Sequence, residues 1–451
     1  MTSILLRENR PRRLAEALGR VPSVEEAHRW ARLARDAGRR LQRALGTSGS
    51  PLDFDDSNGE SFLRAGGIAG TFRMGDREWT VVPKFVAEES VGGWERSVLT
   101  MVRRANRRAY VPEQSRRLRA EPLGLVDHFA LAFAEAVDRA LGSDPIHRYQ
   151  TLEVESATVV GRLLMDRQLQ HIFSRPHRFS CAVDFLDTNN DANQLLRWAA
   201  LRFGEMTRLG AIRQQLQHVS ELLPPVAGPV RLPARLPVVV PPQYAPWREA
   251  VAIATMLATG RSHGGGGGQS GYGLVLDMAR VFEGFVDASL RDGLARQTDA
   301  LWTASPQESR VFATADSPRT RSYWSRPDDV VRRDGASVLL VDAKYKLLAD
   351  AEEGTAKRPS NADVYQLACS LVAHDVPRGL LVYPRVVLRD EVSEVDLGLD
   401  ERKVWRVTIG DRALIIAAVA IDLRDLSTPD RNMALDEAIV GHVRAVLAIP
   451  T

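Results

Sequence analysis

Ser337-Val338-Leu339-Leu340-Val341-Asp342-Ala343-Lys344-Tyr345-Lys346 is the stretch that decides how this chain folds. The apolar run Val338 to Val341 reads as a buried strand, and it ends on a carboxylate and an ammonium two positions apart. Side chains alternate across a strand, so Asp342 and Lys344 share a face. A further carboxylate, Asp328, follows Arg326-Pro327 at the start of the preceding strand-like segment. Working outward, periodicity predicts a helix over 274–290, then strands near 311–315, 328–333 and 337–344. A helix over 361–374 and strands at 379–383, 404–409 and 414–421 follow. Helix, three strands, helix, strand is the order of a mixed-sheet α/β core.

An Asp followed by Asp-x-Lys at a strand end is the PD-(D/E)xK pattern of metal-dependent nucleases. The carboxylates hold Mg2+ or Mn2+, and the lysine orients the attacking water and offsets phosphate charge. Lysine usage sharpens the reading. The chain has 60 Lys plus Arg but five lysines, Lys84, Lys344, Lys346, Lys357 and Lys403, and two of the five stand in one hexapeptide. Arginine stays protonated, whereas lysine is a compact charge whose pKa can fall toward neutrality. A short Asp-x-Lys string also occurs where a structural strand merely ends in solvent, so the position of Asp328 decides. If Asp334-Gly335 is a two-residue hairpin loop, Asp328 pairs with Val341 and points away from Asp342. A three-residue loop, Arg333-Asp334-Gly335 with Gly335 left-handed, pairs Asp328 with Leu340 instead. Asp342 is then a same-face diagonal neighbour about 7–8 Å away. A shared ion therefore requires the three-residue turn.

The whole chain, 451 residues long, has room for two or three domains. Hydrophobic content of 44% and charged content of 26% are those of a globular protein. Two cysteines, Cys181 and Cys369, exclude a disulfide framework and a four-cysteine zinc site and suit a reducing cytoplasm. The opening residues lack the apolar core of a signal peptide, and no stretch has the length of a membrane span. Net charge is only +3, so nucleic-acid contact must come from a local patch. Residues 95–120 offer one, with Arg96, Arg103, Arg104, Arg107, Arg108, Arg116, Arg117 and Arg119 against Glu95 and Glu113. Such a segment can track phosphates, form the solvated face of a helix packed through Val98, Leu99, Met101 and Val102, or face an acidic partner.

Residues 1–50 read as a helical N-terminal extension. An α+β region over 51–223 follows, with a hairpin of Ile68 to Met74 and Glu78 to Val82 turning at Gly75-Asp76 and closed by Pro83-Lys84. Eight prolines between 224 and 246 mark a linker, and 247–451 forms the C-terminal domain. The glycine run 264–268 lacks the Lys-Ser/Thr of a phosphate-binding loop and reads as a flexible connection. His263 and His374 have no partners at metal-ligand spacing.

In order along the chain, these segments resemble the McrC family, the nuclease subunit of McrBC-type modification-dependent restriction systems. The likeness runs over roughly residues 60–425: Gly67-Ile68 through Pro83-Lys84, Asp127 to Phe133 with Tyr149, Val160-Gly161-Arg162-Leu163, Phe179-Ser180-Cys181 and Asn193. Met278 with Phe282-Glu283, Arg326-Pro327-Asp328, Asp342-Ala343-Lys344-Tyr345-Lys346 and Tyr365-Gln366-Leu367 complete it. The resemblance implies a restriction-endonuclease-like domain with Asp328 and Asp342 as metal ligands, Ala343 as a further metal-binding position and Lys344 as the catalytic lysine. Glu283 would add an acid that binds metal or positions water, and Gln366 would support the site. It further implies a cytoplasmic Mg2+-dependent endonuclease for double-stranded DNA that docks on, and stimulates, a separate McrB-like AAA+ GTPase hexamer. The N-terminal half is then the docking surface. The chain has no Walker A motif, so the motor must be another protein. A stand-alone repair or recombination nuclease and a non-catalytic assembly factor for an AAA+ motor are the alternatives; the intact Asp328, Asp342 and Lys344 argue against the second.

Overall fold

The computed structural model describes residues 3–57, 60–86, 93–105, 123–171, 173–259, 273–316, 321–346, 358–385, 387–390, 393–396, 402–424, 426 and 428–450. Most of the expected arginine-rich patch, from Asn106 on, and the glycine run with His263 lie outside these residues. The chain divides into two compact units, Met1–His128 with Gly260–Thr451, and Phe129–Thr259.

The first unit begins with β1 (Ile4–Arg7), β2 (Arg12–Arg13), α1 (Leu14–Leu18) and α2 (Val24–Leu45). Next come β3 (Leu52–Ser57), β4 (Glu60–Ala65), β5 (Ile68–Met74), β6 (Arg77–Val82) and α3 (Trp94–Ala105). The first fifty residues are thus not a helical extension. Ile4 and Leu6 are buried on one face of β1, which runs parallel to β6 with Ile4 opposite Trp79. A strand of four residues is too short for its alternation to stand out beside the helices. α2 starts at a Ser23–Glu26 capping box and ends at left-handed Gly46. Its stripe of Trp30, Ala34, Ala37, Leu41 and Leu45 shares one core with Phe72, Met74 and Trp79. Trp30 meets Trp79 edge-on, ring centres 5.7 Å apart. The expected hairpin is β5–β6.

The division between units falls within α4 (Leu125–Ala140). The second unit continues with β7 (Arg148–Ser156), β8 (Arg162–Leu163), α5 (Met165–His171), β9 (Phe179–Asp187), α6 (Asp191–Met206), α7 (Gly210–Leu222) and α8 (Arg248–Thr259). Its strands pair in the order β7-β9-β8. Asn190 caps α6, and Asn193 donates to the Ile146 and Thr188 carbonyls at 2.9 and 2.7 Å. The proline-rich stretch lies inside this unit, not between units. Beyond it Trp247 is buried and donates to the Asp144 carbonyl at 2.9 Å, and α8 buries Ala250, Val251, Ile253, Ala254 and Leu257. Apolar anchors on its far side keep this proline-rich segment from acting as a boundary.

On its return the chain forms β10 (Leu274–Asp277), antiparallel to β5, which completes a four-stranded sheet in the order β1-β6-β5-β10. Gly70 permits this approach, since a Cβ there would stand 2.0 Å from the Leu274 carbonyl oxygen. The helix expected from 274 begins four residues later as α9 (Met278–Ala295), capped by Asp277. Leu274-Val275-Leu276 fits either element by hydrophobicity, and pairing with β5 settles it.

After α9 come β11 (Trp302–Pro306), β12 (Arg310–Ala313), β13 (Tyr323–Ser325), β14 (Asp329–Arg333), β15 (Ala336–Ala343), α10 (Asn361–His374) and β16 (Arg378–Pro384). β17 (Val387–Asp390), β18 (Ser393–Asp396), β19 (Lys403–Ile409), β20 (Arg412–Ile421) and α11 (Pro429–Leu447) end it. A six-stranded sheet runs β11-β14-β15-β16-β20-β19, with β15, β16 and β20 parallel and the outer strands antiparallel. The strand expected at 311–315 belongs instead to the separate ribbon β12–β13. Leu367 and Leu371 of α10 pack on Val330, Leu340, Leu381, Ile416 and Ala418. The chain is mixed α/β, as expected. Among the described residues no helix is long and apolar enough to cross a membrane.

Candidate functional site

Arg333 lies opposite Ala336, so the β14–β15 turn is the two-residue loop Asp334-Gly335. Both residues have positive φ, 52° and 85°, as a primed hairpin turn requires. The expected three-residue loop is therefore not formed, although Gly335 is left-handed as that turn also required. The register then shifts: Arg332 faces Ser337, but Val331 faces Leu339, and the extra residue is a β-bulge at Val338. Val330 faces Leu340 and Asp329 faces Val341. Continued one step, this register sets Asp328 opposite Asp342. The bulge restores the shared face that a bare two-residue turn would have destroyed.

The carboxylates meet at the end of the sheet where β15 runs out. Asp342 is buried, and the Lys344 ammonium stands 2.7 Å from its Oδ2. The Ala343 amide donates to Asp328 Oδ2 at 2.7 Å, and the Lys344 amide to the Val382 carbonyl at 2.8 Å. Burial, then the Asp342 charge, then that of Glu283, push the Asp328 carboxyl up to about 9. Glu283 on α9 thus acts on the pair, and it accepts a hydrogen bond from Gln307 Nε2 at 2.9 Å. Asp328, Asp342, Ala343, Lys344 and Glu283 are brought together.

Gln366 is not brought to the acids by any hydrogen bond among the described residues. It is exposed on α10, where its carbonyl accepts from Ser370 Oγ at 3.0 Å. The inward acid of α10 is Asp363, which the sequence did not mark. It receives Lys346 Nζ at 2.5 Å and Tyr383 Oη at 3.1 Å. Burial pushes its carboxyl up, but the bonds from Lys346, Ser360 and Tyr383 outweigh this and hold it below the usual range. Asp329 was also missed. It points to the other face of β14 and is fully buried; burial and the nearby Asp287 raise its carboxyl well above the ordinary value. His374 is buried at the end of α10, a structural position.

Among the described residues, no group of three or more His, Cys, Asp or Glu side chains stands ready to hold a metal ion. Mg2+ does not need one, because it keeps several waters and takes one or two carboxylates. A half-buried Asp328, its carboxyl pushed up, set opposite the buried Asp342 is the donor set such an ion relieves.

The family described as McrBC 5-methylcytosine restriction system component matches residues 63–384. The chain belongs to this McrBC family. The ordered motifs from the β5–β6 hairpin to β16 all fall in the matched range, in keeping with their McrC resemblance. Among solved structures, the chain is similar to one from Thermococcus gammatolerans described as McrB AAA+ hexamers with bound McrC. That match has a TM-score of 0.56 at 18% identity and covers 98% of this chain and 100% of the other, which is a likeness of fold. A second match, to the McrBC complex of the same organism, has a TM-score of 0.44 at 18% identity over 66% of this chain and 89% of that one. Among the curated proteins, none matches.

Proposed function

We propose that the chain is the DNA-cutting subunit of a McrBC-like restriction system, with a PD-(D/E)xK centre at the ends of β14 and β15. The observation that carries this is the bulge-set opposition of Asp328 and Asp342 beside Lys344. Asp328 and Asp342, with the backbone at Ala343 and with Glu283 nearby, would hold Mg2+ or Mn2+. The ion would supply charge neutralisation for the scissile phosphate and lower the pKa of bound water. Lys344 orients the attacking water and offsets phosphate charge. Asp342 fixes the lysine side chain, and Glu283 with Gln307 bounds the site on the α9 side. Gln366 stands on the exposed side of α10 and would serve the outer edge of the site.

The partner is an AAA+ protein of the McrB kind, like the McrB AAA+ hexamers that hold McrC in the T. gammatolerans assembly; GTP as its nucleotide and double-stranded DNA as the substrate are what the family resemblance implies. The chain carries no Walker A motif, so nucleotide hydrolysis belongs to that partner. The test is cleavage of methylated duplex DNA by wild-type and Asp342→Ala protein, each with the partner, GTP and Mg2+. The variant should lose cutting and still raise GTP turnover. Equal cutting by both would overturn the site, and efficient cutting by the isolated protein without nucleotide would point to a stand-alone nuclease.

A further inference from the structure

The hairpin that closes on Pro83-Lys84 has a second role. Lys84 is buried two residues beyond the end of β6, far along the chain from Lys344. Its Nζ donates to the Tyr345 carbonyl at 2.9 Å and stands 3.7 Å from the Tyr345 ring centre. The counter-charge is Glu8, directly after β1, with Oε1 3.7 Å from Nζ. Glu8 also accepts from the Gly67 amide at 3.1 Å, the Lys84 amide at 3.0 Å and Tyr345 Oη at 2.8 Å. All three side chains are at most 7% exposed.

A buried ion pair is a poor stabiliser, because desolvation takes back most of the attraction and apolar side chains of similar size do as well or better. What this one does is positional. Residues 344–346 follow β15 without regular structure. Their backbone is held at three points: the Lys344 amide on Val382, the Lys346 amide on the Lys344 carbonyl at 2.8 Å, and Lys84 on the Tyr345 carbonyl. The Tyr345 ring also packs on Phe282, ring centres 5.7 Å apart, and Phe282 precedes Glu283. One hub therefore touches the neighbours of both Lys344 and Glu283. Three of the chain's five lysines, Lys84, Lys344 and Lys346, gather here.

We propose that Lys84, with Glu8 and Tyr345, is a positioning residue that fixes the 344–346 turn, and so the reach of the Lys344 ammonium, from the N-terminal sheet. This rests on reading Asp342 and Lys344 as the cutting centre.

The test uses the full chain carrying Lys84→Met or Tyr345→Phe, and its first readout is amide hydrogen exchange. Lys84→Met should speed exchange of the Lys344 and Lys346 amides by about tenfold or more, with β20 unchanged. In the complex, turnover in cutting should fall about 10–100-fold, as a misplaced catalytic group does, with GTP turnover kept. Unchanged exchange at 344–346, or a rise spread evenly over the first unit, would overturn the proposal. Should Lys84→Met not fold, Tyr345→Phe removes one hydroxyl and should loosen the same two amides; an unaltered turn there would also overturn it. If the wild-type complex cut nothing, the site reading would fall, and exchange would still decide whether Lys84 holds the turn.

Discussion

Val331 pairs with Leu339 where the turn alone would set it against Val338, and this one-residue slip brings Asp328 and Asp342 face to face. Deleting Val338 alone takes out the extra residue and leaves Asp328 opposite Asp342, so cutting should survive it. Deleting both Val338 and Leu339 slips the register once more and turns Asp342 and Lys344 to the opposite face from Asp328, because the side-chain period is two. Cutting should then be lost, and the denaturant midpoint should drop as the apolar residues beyond the deletion change faces. Full activity in the double deletion would show that the opposition of the two acids is not what matters.

The acid pair carries a pH signature. Without metal, the folded chain holds the Asp328 proton up to about 9, against 3.8 for an ordinary aspartate. The stability this contributes is complete below about 4 and is lost as pH rises through that window, because the folded state then retains a proton that the unfolded state has released. Thermal melts in EDTA should show wild type losing stability from pH 5 to 8.5, and Asp328→Asn should flatten the loss. Added Mg2+ should stabilise wild type more at pH 8 than at pH 6, and Asp328→Asn should lack that difference.

His128 titrates the other way. Burial, then the Arg96 charge, hold it down to about 4 from 6.5. The folded state keeps the ring neutral while the unfolded chain takes a proton, so stability present above pH 6.5 is lost as pH falls toward 4. The loss is at most about 3 kcal/mol, since each tenfold change in proton affinity is worth roughly 1.4 kcal/mol. His128→Gln should flatten the acid limb of a pH–stability profile; an unchanged limb would assign it to other groups.

Asp363 and Gln366 lie less than one helical turn apart and should behave differently. Asp363→Asn weakens a buried carboxylate's bonds to Lys346 and Tyr383, and should lower stability by about 1–2 kcal/mol. It should also reduce cutting, since Lys346 lies in the turn after Lys344. Gln366→Ala should stay within about 0.5 kcal/mol, as exposed substitutions do. Paired denaturation and cleavage assays on the two variants decide the order.

Much of this was legible in the chain. The apolar run ending in Asp342 and Lys344 named its strand, and the hairpin closed by Lys84 and the α10 helix stood where periodicity put them, with α9 entering four residues late. The bulge was not legible. Asp334-Gly335 carries a strong two-residue turn signal, but nothing in Ser337-Val338-Leu339 shows which residue will be squeezed out of register. Short elements were lost for a related reason: β1 and β10 have four residues each, and only pairing with distant strands makes them strands. Asp363 was hidden because a polar residue in the first turn of a helix is ordinarily a cap. Lys84 and Glu8 were hidden because a hydrogen-bonded contact between residues 8, 84 and 345 leaves no local pattern.

The sheet that begins at Ile4 is completed by Leu274–Asp277, and the chain spends Phe129–Thr259 elsewhere in between. On a translating ribosome, Glu8 and Lys84 emerge early and wait for Tyr345, while β5 lacks its β10 neighbour until the second unit has been made. Asp328, Asp342 and Lys344 come later still, and β16, the neighbour of β15, gains β20 on its other side only as the last strand appears. The proposed cutting centre is thereby assembled last, so that an interrupted round of translation leaves a fragment with no edge.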